Sequence, residues 1–286
     1  MRLGLEMPRT PAFALPDAVR RVAGHAEAVG FDSLWADDRL LSPISAEAGE
    51  AFLDPVGALH IAAASTTKVG LAAALVAPWH PALLLGRALT TLDLVSEGRL
   101  TVALTTGCSV DEYDAAGIPL AGRTTRLDET LDVLDAAWRS AIVAYEGDRV
   151  RISPSLIEPK PLQRPRPPIL LGGTTVEALD RVGRRGDGWL AAFPAVDVVA
   201  GWAMVEEVAT EHGRDARQLT LVVHLDLGGA MGDAPRGAYD ARVALGVEAA
   251  IEAGADELVV GFPGGPGRED DRLGCLDALV ERVRRY

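Results

Sequence analysis

Cysteine is nearly absent from this 286-residue chain: Cys108 and Cys275 stand far apart with no C-x-x-C pair. That gives neither a disulfide framework nor a zinc knuckle, and free thiols are expected. Lysine is almost missing as well, since only Lys68 and Lys160 interrupt an otherwise all-arginine basic set, and the formal net charge is −13. Such a balance lacks the clustered basic surface that a nucleic-acid footprint needs. No long apolar run occurs; even the stretch from Val69 to Leu85 is broken by Pro78, His80 and Pro81, so no membrane span is expected. The opening MRLGLEMPRT carries an acid and a proline where a signal peptide would be apolar, and a cytoplasmic protein is expected. His25, His60 and His80 show no H-E-x-x-H or paired spacing, so no metal site is predicted.

What is present is apolar surface to bury, with 48% hydrophobic and 24% charged residues, and a recurring strand, helix, strand alternation. Leu3 to Leu5 reads as a strand; Pro16 opens a helix that Gly30 closes, with Val19, Val22, Ala26 and Val29 on one face. Strands follow at Phe31 to Trp35, Val69 to Val76 and Leu100 to Leu104. Asp54-Pro55 caps one intervening helix, and Pro81 opens another that runs to Gly98. Later strands fall at Ile169 to Leu171, Gly188 to Ala192, Leu219 to Leu227 and Glu257 to Val260.

The structural rival is a doubly wound open sheet. After Leu5 the chain reads Glu6-Met7-Pro8-Arg9, without the glycines a dinucleotide phosphate needs there. The prediction is therefore an α/β chain, one (β/α)8 TIM barrel over 1–286, with an insertion between strands four and five. That interval, 108–168, is expected over the barrel mouth, with a helix marked by Leu127, Leu131, Leu134 and Trp138 and a hairpin around Glu146-Gly147-Asp148.

Four segments carry a family resemblance: Ala26 to Trp35 (AEAVGFDSLW), Leu92 to Leu100 (LDLVSEGRL), Pro167 to Thr174 (PPILLGGT) and Gly186 to Trp189 (GDGW). In that order they resemble the luciferase-like monooxygenase and coenzyme F420-dependent oxidoreductase superfamily, from Leu3 to about Pro263. The resemblance implies a flavin or deazaflavin at the C-terminal ends of the strands, where barrel active sites lie. It implies phosphate contact at Gly172, Gly173 and Thr174, a turn that reads otherwise as a tight strand-to-helix connection capped by Thr174 or Thr175. It also implies a strained non-prolyl cis bond at Ala74-Leu75, against which the isoalloxazine would lie.

Asp38 matches a family acid after strand two, but the following residue is Arg39 where relatives often have histidine. Arginine anchors anions and cannot serve as an easy base. Thr106-Gly107-Cys108 stands where relatives often carry glycines and sometimes a glutamate. By that match Asp38, Ala74, Leu75, Thr106 and Gly107 join the cofactor-binding set, while Arg39 and Cys108 are the candidates at catalytic positions. The departures argue against the sugar-phosphate dehydrogenase branch and leave the proton donor unassigned. His224 alternates within its strand and has a possible place in the pocket; Arg123 and Arg126 either reach an anionic tail or pair across a helix surface.

The function so implied is hydride transfer to or from a small organic substrate, with coenzyme F420 preferred over FMN. An FMN-dependent monooxygenase and a flavin-binding protein without turnover are the alternatives. A small-molecule substrate and a homodimer are expected as partners.

Overall fold

Residues 1–9, 14–41, 51–225, 236–261 and 269–284 are described by the computed structural model. Its strands are β1 (Arg2–Glu6), β2 (Ser33–Asp37), β3 (Gly70–Val76), β4 (Leu100–Thr105), β5 (Val143–Glu146), β6 (Arg151–Ser155), β7 (Ile169–Gly172), β8 (Gly188–Phe193), β9 (Thr220–Leu225) and β10 (Glu257–Val260). Eight of them close a parallel barrel in the order β1-β2-β3-β4-β7-β8-β9-β10, while β5 and β6 pair apart as an antiparallel hairpin. The helices are α1 (Pro16–Val29), α2 (Pro55–Ala63), α3 (Ala82–Val95), α4 (Val110–Ala115), α5 (Arg123–Arg139), α6 (Val176–Arg185), α7 (Val198–Glu211), α8 (Arg236–Glu252) and α9 (Glu269–Val283). The expected TIM barrel is therefore the observed fold. Residues 226 and 227 of the expected seventh strand, and Pro263 at the end of the resemblance, lie outside the described residues.

The strands read as nearly unbroken apolar runs because both of their faces are buried. Outward residues such as Leu5, Leu34, Leu71, Leu104, Leu171, Trp189, Val223 and Val260 form the main core with the helices. Inward residues Trp35, Ala72, Ala103, Leu170, Val222 and Val259 fill the lumen as a second cluster. Below them Trp35 Nε1 donates to Ser33 Oγ at 2.8 Å and to Glu257 Oε1 at 2.9 Å, and Arg2 pairs with Glu257 at 3.1 Å. This network leaves no room on β1: a Cβ on Gly4 would stand 2.7 Å from both Glu257 Oε1 and Ser33 Oγ.

At the N-terminal ends of the strands an aspartate recurs. Asp32, Asp187 and Asp256 immediately precede β2, β8 and β10, and accept the backbone N–H of Leu3 (2.8 Å), Ile169 (2.7 Å) and Leu221 (2.8 Å). This explains why the second strand starts at Ser33 and not at Phe31. Gly30 ends α1 in the left-handed region (φ 96°), Phe31 is buried in the core, and Asp32 is engaged with β1. Asp93, fully buried, accepts from the backbone of Leu162 (2.7 Å) and Gln163 (3.0 Å), tying the proline-rich run to α3.

The interval 108–168 divides into parts with different positions. α5 occupies the helix ring beside α3, its Leu127, Leu131, Leu134 and Trp138 in the main core. The β5-β6 hairpin lies on the outer side of α5, where Val143 and Ile152 meet Ala82 and Val133. α4 stands at the C-terminal face: Glu112 Oε1 accepts from Leu40 N (3.0 Å) in the loop after β2. Lys160 closes the far end of α5, donating from Nζ to Ala137 O (2.7 Å) and Ser140 O (2.8 Å), as a cation at a helix C-terminus should. Among the described residues, no helix is long and apolar enough to cross a membrane.

Two outcomes follow from these ties. Gly4→Val should cost about 1–3 kcal/mol through overpacking, measured by urea unfolding. The Glu27 carboxyl is raised by burial but held below its ordinary range overall by N–H bonds from Val69, Lys68 and Thr67 and by the charge of Arg99. A carboxylate with a depressed folded value adds stability that is present above its unfolded pKa and lost as pH falls through the folded one. Glu27→Gln should therefore cost less than about 1 kcal/mol at neutral pH, since solvent screens this largely exposed carboxylate, and the gap from wild type should close in acid.

Candidate active site

Inward positions change character toward the C-terminal ends of the strands. On one side the wall is small: Ala74 on β3, Thr105 on β4, Gly172 on β7 and Ala192 on β8. On the other it is polar, with Glu6 ending β1, Asp37 ending β2 and His224 on β9. Arg9 forms an ion pair with Glu6 and lies 3.2 Å from Asp37 Oδ2. His224 Nε2 stands 3.3 Å from Glu6 Oε2.

A second polar group sits on the rim. The buried Asp38 is fixed at three points: its N–H donates to Ala74 O (2.9 Å), and its Oδ2 accepts from Val76 N (3.1 Å) and lies 2.7 Å from His80 Nε2. The expected acid thus binds the end of β3 and a histidine that no local pattern singles out. Arg39 follows with its side chain exposed.

The Ala74-Leu75 expectation is corrected. Cis bonds among the described residues are Glu158-Pro159, Arg164-Pro165 and Phe193-Pro194. β3 keeps an unbroken parallel register against β4 from Leu71 to Val76, so no bulge interrupts it and the bond is trans. Ala74 faces the lumen, whereas Leu75 points outward into the main core.

Beside β4, Gly107 adopts φ 60°, and a Cβ there would approach Val76 Cγ1 to 2.8 Å. The Thr106 carbonyl accepts from Tyr113 Oη, the Cys108 side chain is exposed, and Tyr113 meets Trp79 edge-on with ring centroids 6.0 Å apart. Burial raises the Tyr113 pKa, while Arg123 and Arg126 pull it down and Cys108 adds to the rise. Trp79 Nε1 and Arg126 Nε are buried donors without a hydrogen-bond partner.

Two of the helix starts near the mouth differ. α6 follows Gly172-Gly173-Thr174, with Gly173 at φ 141°, and it is capped by Thr175, whose side chain accepts from Ala178 N. Glu177 sits in its first turn with its pKa lowered by a hydrogen bond from its own backbone N–H and one from Thr175. α5 starts after Gly122 with no side-chain cap and no acid in its first turn, and Arg123 opens it. A flat anionic cofactor suits this set: small residues for a ring, orphaned donors, and arginines at an open helix start for a negatively charged tail. Among the described residues, no group of three or more His, Cys, Asp or Glu side chains could hold a metal ion.

Sequence reasoning brought Asp38, Ala74, Thr106, Gly107 and Cys108 to one face of the barrel, together with Gly172, Gly173, Thr174 and Arg39. It missed Glu6, Arg9, Asp37 and His80; the one available signal for Glu6 and Asp37 was a charge at an inward position of an apolar strand. Asp38→Ala, which strands Val76 N and His80, should lower the unfolding free energy by about 1–3 kcal/mol, measured by urea denaturation.

Comparison with known proteins agrees with this architecture. The family model for luciferase-like monooxygenases matches residues 5–241. An uncharacterised protein of Mycobacterium tuberculosis, Rv0953c, is 30% identical over 243 residues, covering 79% of this chain and 84% of its own length. In fold, the chain is similar to the monooxygenase RslO1 from Streptomyces bottropensis (TM-score 0.84, 21% identity, 100% of this chain and 99% of that one). It is also similar to the coenzyme F420-dependent tetrahydromethanopterin reductase from Methanopyrus kandleri (TM-score 0.76, 18% identity, 98% of each chain). With a barrel mouth suited to a flat anionic cofactor and a family match over most of its length, this chain belongs to the luciferase-like monooxygenase family.

Proposed function

We propose that the protein is a deazaflavin-dependent oxidoreductase that moves a hydride to or from a small organic molecule. The observation that carries this reading is the charge at the mouth: a chain of net charge −13 sets Arg123 and the half-buried Arg126 at the open start of α5, with Arg39 on the neighbouring loop. That concentration suits a cofactor with an extended anionic tail better than one carrying a single phosphate. When bound, the deazaflavin supplies a reversible hydride at its ring and forms no oxygen adduct of the monooxygenase kind.

The remaining roles belong to the chain. The small residues Ala74, Thr105, Gly172 and Ala192 leave one wall of the mouth flat. Trp79 Nε1 offers a donor, and Asp38 fixes the loop after β2 to the end of β3. Cys108 and Arg39, both exposed, face whatever covers the mouth, Arg39 as an anion anchor and Cys108 as an ordinary thiol.

A relative from Pseudomonas putida described as an FMNH2-dependent dimethylsulfone monooxygenase, 28% identical over 212 residues, supports FMN as the second reading. Titration of the purified protein with the deazaflavin coenzyme and, separately, with FMN, followed by cofactor fluorescence, decides between them. Saturable deazaflavin binding that weakens at least about fivefold in Arg126→Gln is expected, the loss of one charge-assisted contact. FMN binding alone would move the monooxygenase reading ahead, and binding of neither would end both.

A further inference from the structure

Hydride transfer to a carbonyl or imine needs a proton as well, and the mouth contains a pair arranged to supply it. His224 is inward by alternation: Leu221, Val223 and Leu225 belong to the outer core, while Val222 lies in the lumen. Glu6, 218 residues away in sequence, meets it over the intervening β10, with Oε2 3.3 Å from Nε2. The side chain of Glu6 is 8% exposed and that of His224 22%, so a buried carboxylate backs an imidazole that reaches toward the opening.

The surrounding charges fit that role. Arg9 pairs with both Glu6 and Asp37, so two carboxylates share one guanidinium and a single negative charge is left over. In register with His224, β8 places Ala192 and β10 places Val259. A histidine oriented by a carboxylate is a common form of general acid and base.

We propose that His224, positioned by Glu6, is the proton donor of the reaction, an inference that rests on the oxidoreductase reading above. In the reducing direction, hydride passes from the reduced deazaflavin or flavin to the carbon of a C=O or C=N group. The π pair moves onto oxygen or nitrogen, and that atom takes the proton from the His224 imidazolium. The imidazole is left neutral and regains a proton from solvent; alcohol or amine oxidation runs the same steps backward. The substrate class is accordingly a ketone, aldehyde or imine, or its reduced counterpart.

The test is an NMR titration of ¹³C-histidine-labelled protein, whose five histidines are assigned with His224→Gln as reference. It is run with and without the coenzyme that binds in the fluorescence assay. The His224 ring signal should move on cofactor addition, and its titration midpoint should fall by about one pH unit, tenfold in proton affinity, in Glu6→Gln. Arg9→Gln, which removes the competing cation, should raise the midpoint and serves where Glu6→Gln does not fold. His224→Gln should keep the cofactor Kd within about twofold and, with any carbonyl substrate that turns over, lower kcat at least about tenfold at unchanged KM. A ring signal indifferent to bound cofactor and to both substitutions overturns the proposal alone. Failure of either coenzyme to bind overturns the oxidoreductase reading instead, and the response to Glu6→Gln still reports on the pair.

Discussion

A closed barrel of eight parallel strands has a lumen of fixed girth, and each inward side chain must fit what its neighbours leave. Here the largest tenant is Trp35, whose indole is held by Ser33 and Glu257 and fits because β1 offers a bare glycine at position 4. The lower lumen is then full, with Ala72, Ala103, Leu170, Val222 and Val259 completing the layer above. Above that layer the inward residues turn small on one side and charged on the other. The site is where it is because the rest of the lumen is spent on packing.

At that upper end, the strands divide the work by residue size. The β3, β4, β7 and β8 side offers small residues, a surface on which a planar ring can rest. The β1, β2 and β9 side offers Glu6, Asp37 and His224, with Arg9 joining the two carboxylates. Asp38 belongs to neither wall; its bonds to Val76 and His80 brace the rim that links them. Small and charged inward residues thus come from different strands, which lets each set vary without disturbing the other.

The barrel was legible because short apolar runs, helix-closing glycines and proline starts are local signals, and they agreed with one another along the chain. The segments carrying the family resemblance are framework apart from Gly172, which ends β7 at the mouth. Asp93 holds the proline-rich run, Asp187 holds the start of β7, and Trp189 is fully buried with Nε1 donating to Gly173 O at 3.0 Å. Such residues announce the scaffold and say little about its chemistry. The Asp38 and His80 pair spans 42 residues and the Glu6 and His224 pair 218, and no local pattern links partners so far apart. The expected cis bond at Ala74-Leu75 was borrowed by analogy, and a regular ladder through β3 has no use for it.

The hold of Lys160 on the last turn of α5 has a practical side. The chain has only two lysines, and the ammonium of Lys160 is committed to the carbonyls of Ala137 and Ser140, while Lys68 is exposed. Amine-directed reagents therefore meet one open lysine, just before β3 on the face opposite the mouth. A dye, tether or surface linker attached there would leave the mouth unobstructed.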